Sequence, residues 1–319
     1  MILSKGKEKL KIKRDIILIL CLTIGTFCMP VTALGSPDIE ILSFETAPTA
    51  VPGELLYVEY TLTNTGNFPS GPLKLTYYLS TNGDLSERGI VLNQLNIRSL
   101  RPGEIFSAYY MENVPITVPS NTYYPIIEVV PVQKALLDLN PDNNILASSL
   151  LEISSQQKLP REWINQKASE LLFIKTNAQR ERRNVKPLLY NEKLAAIAHS
   201  HVEDMAEKDY FEHVSLDGKD PNARAVEHGY PLERTHSDGM VVRGIGENIV
   251  RFPTGDTIYV YGFEFIDPTN PVQLSDVAIT SFLNSASHKK TLLSDIYEEI
   301  GIAATMASDG QYYLGQNFG

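Results

Sequence analysis

The chain has 319 residues, of which 43% are hydrophobic and 21% charged, and its formal net charge is −10 at neutral pH. That composition excludes a disordered chain, and the length fits about two domains of ~100–200 residues each. The acidic balance argues against nucleic acid and anionic membrane surfaces as partners.

Residues 1–35 differ from the rest. Lys5, Lys7, Lys9, Lys11, Lys13 and Arg14 form a basic run, an apolar stretch follows from Ile16 to about Met29, and Pro30 breaks it. Val31-Thr32-Ala33 or Ala33-Leu34-Gly35 then supplies small residues at cleavage spacing. This order is that of a secretory signal peptide, and the apolar stretch is shorter than the ~20 residues of a spanning helix. An uncleaved N-terminal anchor is the alternative. Neither Cys21 nor Cys28 directly follows a small residue, so no lipoprotein signal is read. Both cysteines lie in this segment, so the chain beyond it has no disulfide, thiolate ligand or cysteine nucleophile. Without the leader, 22 basic residues face 36 acidic ones, a net charge near −14. The expectation is a secreted or cell-surface protein with no membrane span once the signal is removed.

Residues 36–153 predict an all-β domain. Leu56, Val58, Tyr60 and Leu62 alternate with polar residues, with Tyr57 falling between them, and Leu73, Leu75, Tyr77 and Leu79 repeat the pattern. Such alternation marks half-buried strands. Turn signals separate the runs at Pro52-Gly53, Gly66-Asn67, Asn82-Gly83-Asp84, Pro102-Gly103 and Asn140-Pro141-Asp142-Asn143-Asn144. Many short strands at this spacing predict an antiparallel immunoglobulin-like sandwich. Pro37-Asp38-Ile39, Asn64-Thr65-Gly66, Tyr78-Leu79-Ser80, Leu100-Arg101-Pro102-Gly103 and the closing Asn-Pro-Asp-Asn-Asn turn resemble a CARDB domain, the adhesion-related module of prokaryotic surface proteins. The resemblance implies a spacer or adhesion module. Asp84, Glu87 and Asp142 are read either as exposed turn carboxylates, the reading we favour, or as calcium ligands.

Residues 154–161 are polar, end near Pro160, and are expected to link to a second domain over 162–319. There the period changes. Ile164, Ala168, Leu171 and Leu172 fall at helical spacing, with Arg180, Arg182 and Arg183 near the helix end, where cations suit the dipole. Asn191 is placed to cap a second helix whose apolar face carries Leu194, Ile197, Ala198, His201 and Met205. Ser275 is read as the cap of a third helix bearing Val277, Ile279, Phe282 and Leu283. Ser308-Asp309-Gly310 predicts a hairpin between 300–307 and 311–318. Tyr259, Tyr261, Phe263 and Phe265 alternate strictly, as an edge strand packed on the domain or an exposed face for an apolar ligand. Helices and strands mix without a βαβ rhythm, so the expected class is a layered α+β domain.

The sequence has no P-loop, no dinucleotide glycine fingerprint, no Gly-x-Ser-x-Gly elbow and no His-Glu-x-x-His helix. All six histidines lie in the C-terminal half. His201 reads as a core histidine and His199 as a solvated one. His228 and His236 sit in turn-rich sequence without an evident carboxylate partner. His213 and His288 are the candidates for function.

The series containing His213, Gly246-Glu247-Asn248-Ile249, Ser285-Ala286-Ser287-His288, Ile300-Gly301-Ile302 and Gln316-Asn317-Phe318-Gly319 resembles the CAP superfamily, also called SCP-like. Asn177-x-x-Arg180, Pro187-Leu188, Ala198-x-x-His201, Met205 and Arg224 with Gly229-Tyr230 extend the match. The resemblance implies an α-β-α sandwich with an open cleft holding two histidines and two acids. His213, Glu247 and His288 take three of those positions. Phe282 stands at a tryptophan position and Ser285 at the fourth, acidic one, so the fourth acid is missing.

Two imidazoles and a carboxylate could hold Zn, Mg or Ca, or could pair electrostatically and shape a polar cleft. Three functions follow. The first is a binding protein with a cleft for a small apolar ligand, an ion, or a protein or envelope partner. The second is a metal-dependent extracellular hydrolase using His213, Glu247 and His288. The third is a structural envelope protein.

Overall fold

The alternating apolar residues do pair as strands. In a computed structural model of the chain, residues 35–86, 89–133, 138–155, 159–235, 239–255 and 266–319 are described. The expected export segment up to residue 34, Glu87, His236 and the aromatic run at 259–265 lie outside them. Residues Ser36–Gly319 form one compact unit.

Its first half is a β-sandwich. Strands β1 (Ile39–Thr46), β3 (Leu55–Asn64) and β6 (Ile105–Asn113) make one antiparallel sheet in the order β1-β3-β6. The second sheet runs β2 (Thr49–Ala50), β9 (Leu151–Ile153), β7 (Asn121–Pro131), β4 (Leu73–Ser80), β5 (Ile90–Ile97), with β8 (Ile145–Ala147) also on β7. The apolar sets on β3 and β4 are all buried. Each such side chain contributes about 1.5–3 kcal/mol by leaving water. Asp84 accepts from the backbone N–H and the hydroxyl of Ser86, and Asp142 is exposed in a 3-10 turn over Pro141–Asn143. Both are exposed turn carboxylates.

One residue breaks the half-buried pattern. Tyr57 is fully buried although it points away from Val58 and the sandwich interior. Its cover comes from α1 (Arg161–Glu181): Trp163 meets its ring edge-on at 5.6 Å, and the Lys167 ammonium lies 5.4 Å from the ring centroid. Lys167 also pairs with Glu170 at 2.7 Å and Glu59 at 3.4 Å, and Leu171 belongs to the sandwich's core cluster. The helix starts as soon as Pro160 is passed, so residues 159–161 dock the second half directly onto the first.

The second half is an α-β-α sandwich, as the resemblance implied. Its sheet runs β10 (Leu189–Tyr190), β14 (Glu299–Met306), β15 (Gln311–Phe318), β13 (Gly246–Pro253). β11 (Glu233–Thr235) and β12 (Val241–Arg243) form a separate hairpin. Alternation along β14 divides the layers. Ile300, Ile302 and Ala304 pack with Ala168 and Leu172 of α1 and with Val277 and Phe282 of α4 (Pro271–Asn284). Ala303 packs on the other face with Ala198, Val202 and Met205 of α2 (Glu192–Lys208). Gly301 faces α2 so closely that a Cβ there would sit 1.9 Å from the Ala195 nitrogen. Two short helices, α3 (Pro221–Glu227) and α5 (Ala286–Leu292), complete the set.

Asn191 caps α2, accepting from the N–H groups of Lys193 and Leu194. The expected cap at Ser275 is corrected. Asn270 caps α4 by accepting from Gln273 N–H, and Pro271 opens the helix with the φ it needs. Ser275 lies inside α4, where its hydroxyl bonds back to the Val272 carbonyl and accepts from Lys175. Arg180 does more than suit a dipole. It is fully buried, and its guanidinium donates to the carbonyls of Lys186, Leu292, Ser294 and Tyr297.

Arg180→Met would leave those carbonyls without their donor at similar side-chain volume. We expect a loss on the order of 4 kcal/mol, read by chemical denaturation. Gly301→Ala should cost at least as much, because the clash is with helix backbone rather than with a movable side chain.

Candidate functional site

Glu247 is the second residue of β13, opposite Asn317 of β15. Its side chain is 3% exposed. A carboxylate so buried needs partners for its charge. Oε1 accepts from His213 Nδ1 at 2.8 Å, and Oε2 accepts from the Arg224 guanidinium at 2.7 Å.

Arg224 arrives on α3, whose start is set by Asp220 accepting from Ala223 N–H and by Pro221 in the first turn. Its other terminal nitrogen donates to the carbonyls of His213 and Lys219 and to the Ser215 hydroxyl. One buried cation thus pins the loop that carries His213 against the carboxylate that receives it. His201 supports the same loop from α2. Its Nε2 lies 3.0 Å from the Glu212 carbonyl, its Nδ1 lies 3.4 Å from the Ser215 hydroxyl, and Glu247 Oε1 is 3.9 Å away. His201 is buried, as expected of a core histidine.

His288 comes from α5. Its ring stands edge-on to Phe282, with centroids 5.4 Å apart. Its backbone carbonyl accepts from Asn248 Nδ2, the residue beside Glu247. Asn248 also donates to Gln316, which donates to Thr176 of α1. This buried polar chain fixes α5 relative to β13. Ser285, between α4 and α5, shares a hydrogen bond with the Ser287 hydroxyl at 3.1 Å and brings no carboxylate. His199 pairs with Glu203, and His228 Nε2 lies 3.2 Å from the Ser200 hydroxyl, so neither joins this site.

The two site histidines are pushed apart in proton affinity. The hydrogen bond to Glu247 raises His213 above the ordinary value. Burial lowers His288, and the nearby charge of His213 lowers it further. Burial also lowers His201. At a pH near 6.5 the pair therefore favours a protonated His213 beside a neutral His288.

The donor set does not suit a three-ligand metal site. Both Glu247 oxygens are engaged, one of them by a guanidinium that a cation would have to displace. Among the described residues no three His, Cys, Asp or Glu side chains group as metal ligands. The sequence pattern allowed such a site because it placed His213, Glu247 and His288 without placing Arg224. Arg224 stood in the family series with no role attached. The Asp220-Pro221 helix start was the local signal that could have fixed its direction.

Residues 173–318 match the model of the cysteine-rich secretory protein family, CAP. The C-terminal half is a CAP domain. An uncharacterized protein of Bacillus subtilis (strain 168), YkwD, is 25% identical over 127 residues, a match covering 40% of this chain and 38% of that protein. The chain thus spans well under half of that relative's length. An extracellular protein containing an SCP domain from Bacillus anthracis is similar in structure, at 16% identity and TM-score 0.40, covering 86% of this chain and 87% of that one. The CARDB domain of a Pyrococcus furiosus protein covers 37% of this chain and 90% of its own, at 16% identity and TM-score 0.29.

For the CAP-domain site we expect separate ring titrations by NMR, with His213 above and His288 below the ordinary midpoint. Glu247→Gln should bring His213 down. The contribution of His213 to stability is full below its unfolded pKa and is lost as pH rises through its higher folded value. His201 acts oppositely, and its buried neutral form destabilises the fold as pH falls below its unfolded value.

Proposed function

We propose that the protein is exported and acts as a secreted or cell-surface binding protein, with recognition centred on His213, Glu247 and His288. The observation that carries this reading is the double engagement of the Glu247 carboxylate. A base that already accepts from an arginine and a histidine is poorly placed to take a proton from water. Ser285 brings no carboxylate at the position where the family pattern has its second acid.

The site instead presents an imidazole whose Nδ1 is fixed and which readily holds a proton. His213 is half-exposed, its side chain at 51%, and its Nε2–H is free to meet an acceptor on a ligand. The partly exposed His288 ring, backed edge-on by the buried Phe282, supplies a largely apolar surface nearby. These features fit a small apolar molecule carrying a carboxylate or similar acceptor. The β-sandwich suits a spacer or adhesion role, placing the CAP domain in contact with a partner or envelope component. Among the described residues no helix is long and apolar enough to cross a membrane.

Myristate tests the reading, since it joins an apolar chain to one acceptor group. Its addition should shift the ring resonances of His213 and His288 but not His199, and His213→Ala should abolish the effect. Cleavage of casein or of an ester substrate by the wild-type protein, lost in Glu247→Ala, would overturn the proposal in favour of a hydrolase. So would stoichiometric zinc that is lost in His213→Ala.

A further inference from the structure

The CAP-domain sheet has an edge that is only partly covered. β10 pairs with β14 only at Glu299 and Ile300, after which the chain turns into α2. Asn191 N–H donates to the Ile300 carbonyl from outside the sheet, so Ile300, Ile302, Ala304 and Met306 have their backbone polar groups on the outer edge. The Arg161 guanidinium, 3.5 Å away, reaches the Met306 carbonyl. Among the described residues no strand pairs with the outer edge at Ile302 or Ala304.

That edge is the floor of a groove of about 1080 Å³ between α1 and α2. Small residues keep it open: Ser169 on one wall, Ala195 and Ala196 on the other. Its rim is acidic. Glu162 and Glu170 on α1 and Glu192 and Glu203 on α2 line it beside Arg161; Glu170 is already paired with Lys167 and Glu203 with His199, which leaves Glu162 and Glu192 outside any salt bridge among the described residues. His199 and His228 also line it, whereas His213, Glu247 and His288 do not, so the groove is separate from the site described above.

We propose that this groove binds an extended, lysine- or arginine-bearing segment of a partner protein, which adds to the outer edge of β14 as a further strand. Two features select that occupant. The N–H and C=O groups of Ile302 and Ala304 are spaced for the main chain of a neighbouring strand, which would lie about 4.8 Å away. A purely apolar ligand would leave them unsatisfied. Glu162 and Glu192, one on each wall, select cationic side chains, so lysines at alternate positions of an extended strand meet a carboxylate whichever wall they face. A second copy of this chain is a poor match, because it would bring the same carboxylates and a net charge of the same sign.

The test is fluorescence anisotropy with the purified full chain and a labelled, end-blocked (Lys-Thr)₄ peptide. We expect saturable binding that weakens with salt. A (Glu-Thr)₄ peptide, and a (Lys-Thr)₄ peptide methylated at every backbone nitrogen, should each bind at least tenfold more weakly. The double variant Glu162→Gln with Glu192→Gln changes two exposed helix residues and should lower affinity roughly tenfold at unchanged helicity. Binding of the methylated peptide within twofold of its parent would overturn the proposal, because charge alone would then explain capture. Binding of (Glu-Thr)₄ as tight as that of (Lys-Thr)₄ would overturn it as well. Concentration-dependent dimers in sedimentation that the lysine peptide dissolves would assign the edge to a second copy instead.

Discussion

The CAP-domain site depends on one buried ion pair. Glu247 enters the interior because β13 registers with β15 at Asn317, and a charge in that position requires a counter-charge within hydrogen-bond reach. Arg224 supplies it, and its second terminal nitrogen donates to His213, Ser215 and Lys219. A pair of this kind returns little net stability after desolvation. What it fixes is arrangement. With Arg224 committed, the loop from Glu212 to Lys219 has one place to lie, and His213 reaches the carboxylate from there. The low availability of Glu247 descends from that pairing, and the hydrogen bond from His213 to the same carboxylate raises the proton affinity of that imidazole.

Much of the layer plan was legible in the sequence, because it rests on local periodicity. The alternation on β3 and β4, the helical spacing from Ile164 to Leu172, the Asn191 cap and the Ser308-Asp309-Gly310 hairpin are each set within a few residues. The Ser275 cap failed for a local reason of another kind: Asn270-Pro271 is a stronger helix start and lies one turn upstream. Arg180 does lie in the last turn of α1, but its further role was not legible, because its four acceptors come from residues 186–297 and no window along the chain brings them together. The candidate trio came from family resemblance rather than from spacing. The partner that decides its chemistry, Arg224, was visible only as a matched letter. The free edge of β14 had no sequence signal at all, since an edge is defined by the strand that fails to lie beside it.

The two halves share more than a connecting segment. Tyr57 is buried on the side of β3 that alternation predicts to be solvated, and it is α1 that buries it. Trp163 packs against both core clusters, Leu171 belongs to that of the sandwich, and Lys167 pairs with Glu59 of β3. The polar stretch at 154–161 reads as a linker between two domains. Beyond it the first turns of α1 pack with both cores, Ile164 and Ala168 with that of the CAP domain and Leu171 with that of the sandwich.

Trp163 is the only tryptophan in the chain. It stands at that seam, with its ring against Tyr57. The molecule therefore carries its own optical gauge of domain docking. Intrinsic emission excited at the indole band reports separation of the two halves directly, with no other indole to dilute the signal and no label to perturb the joint.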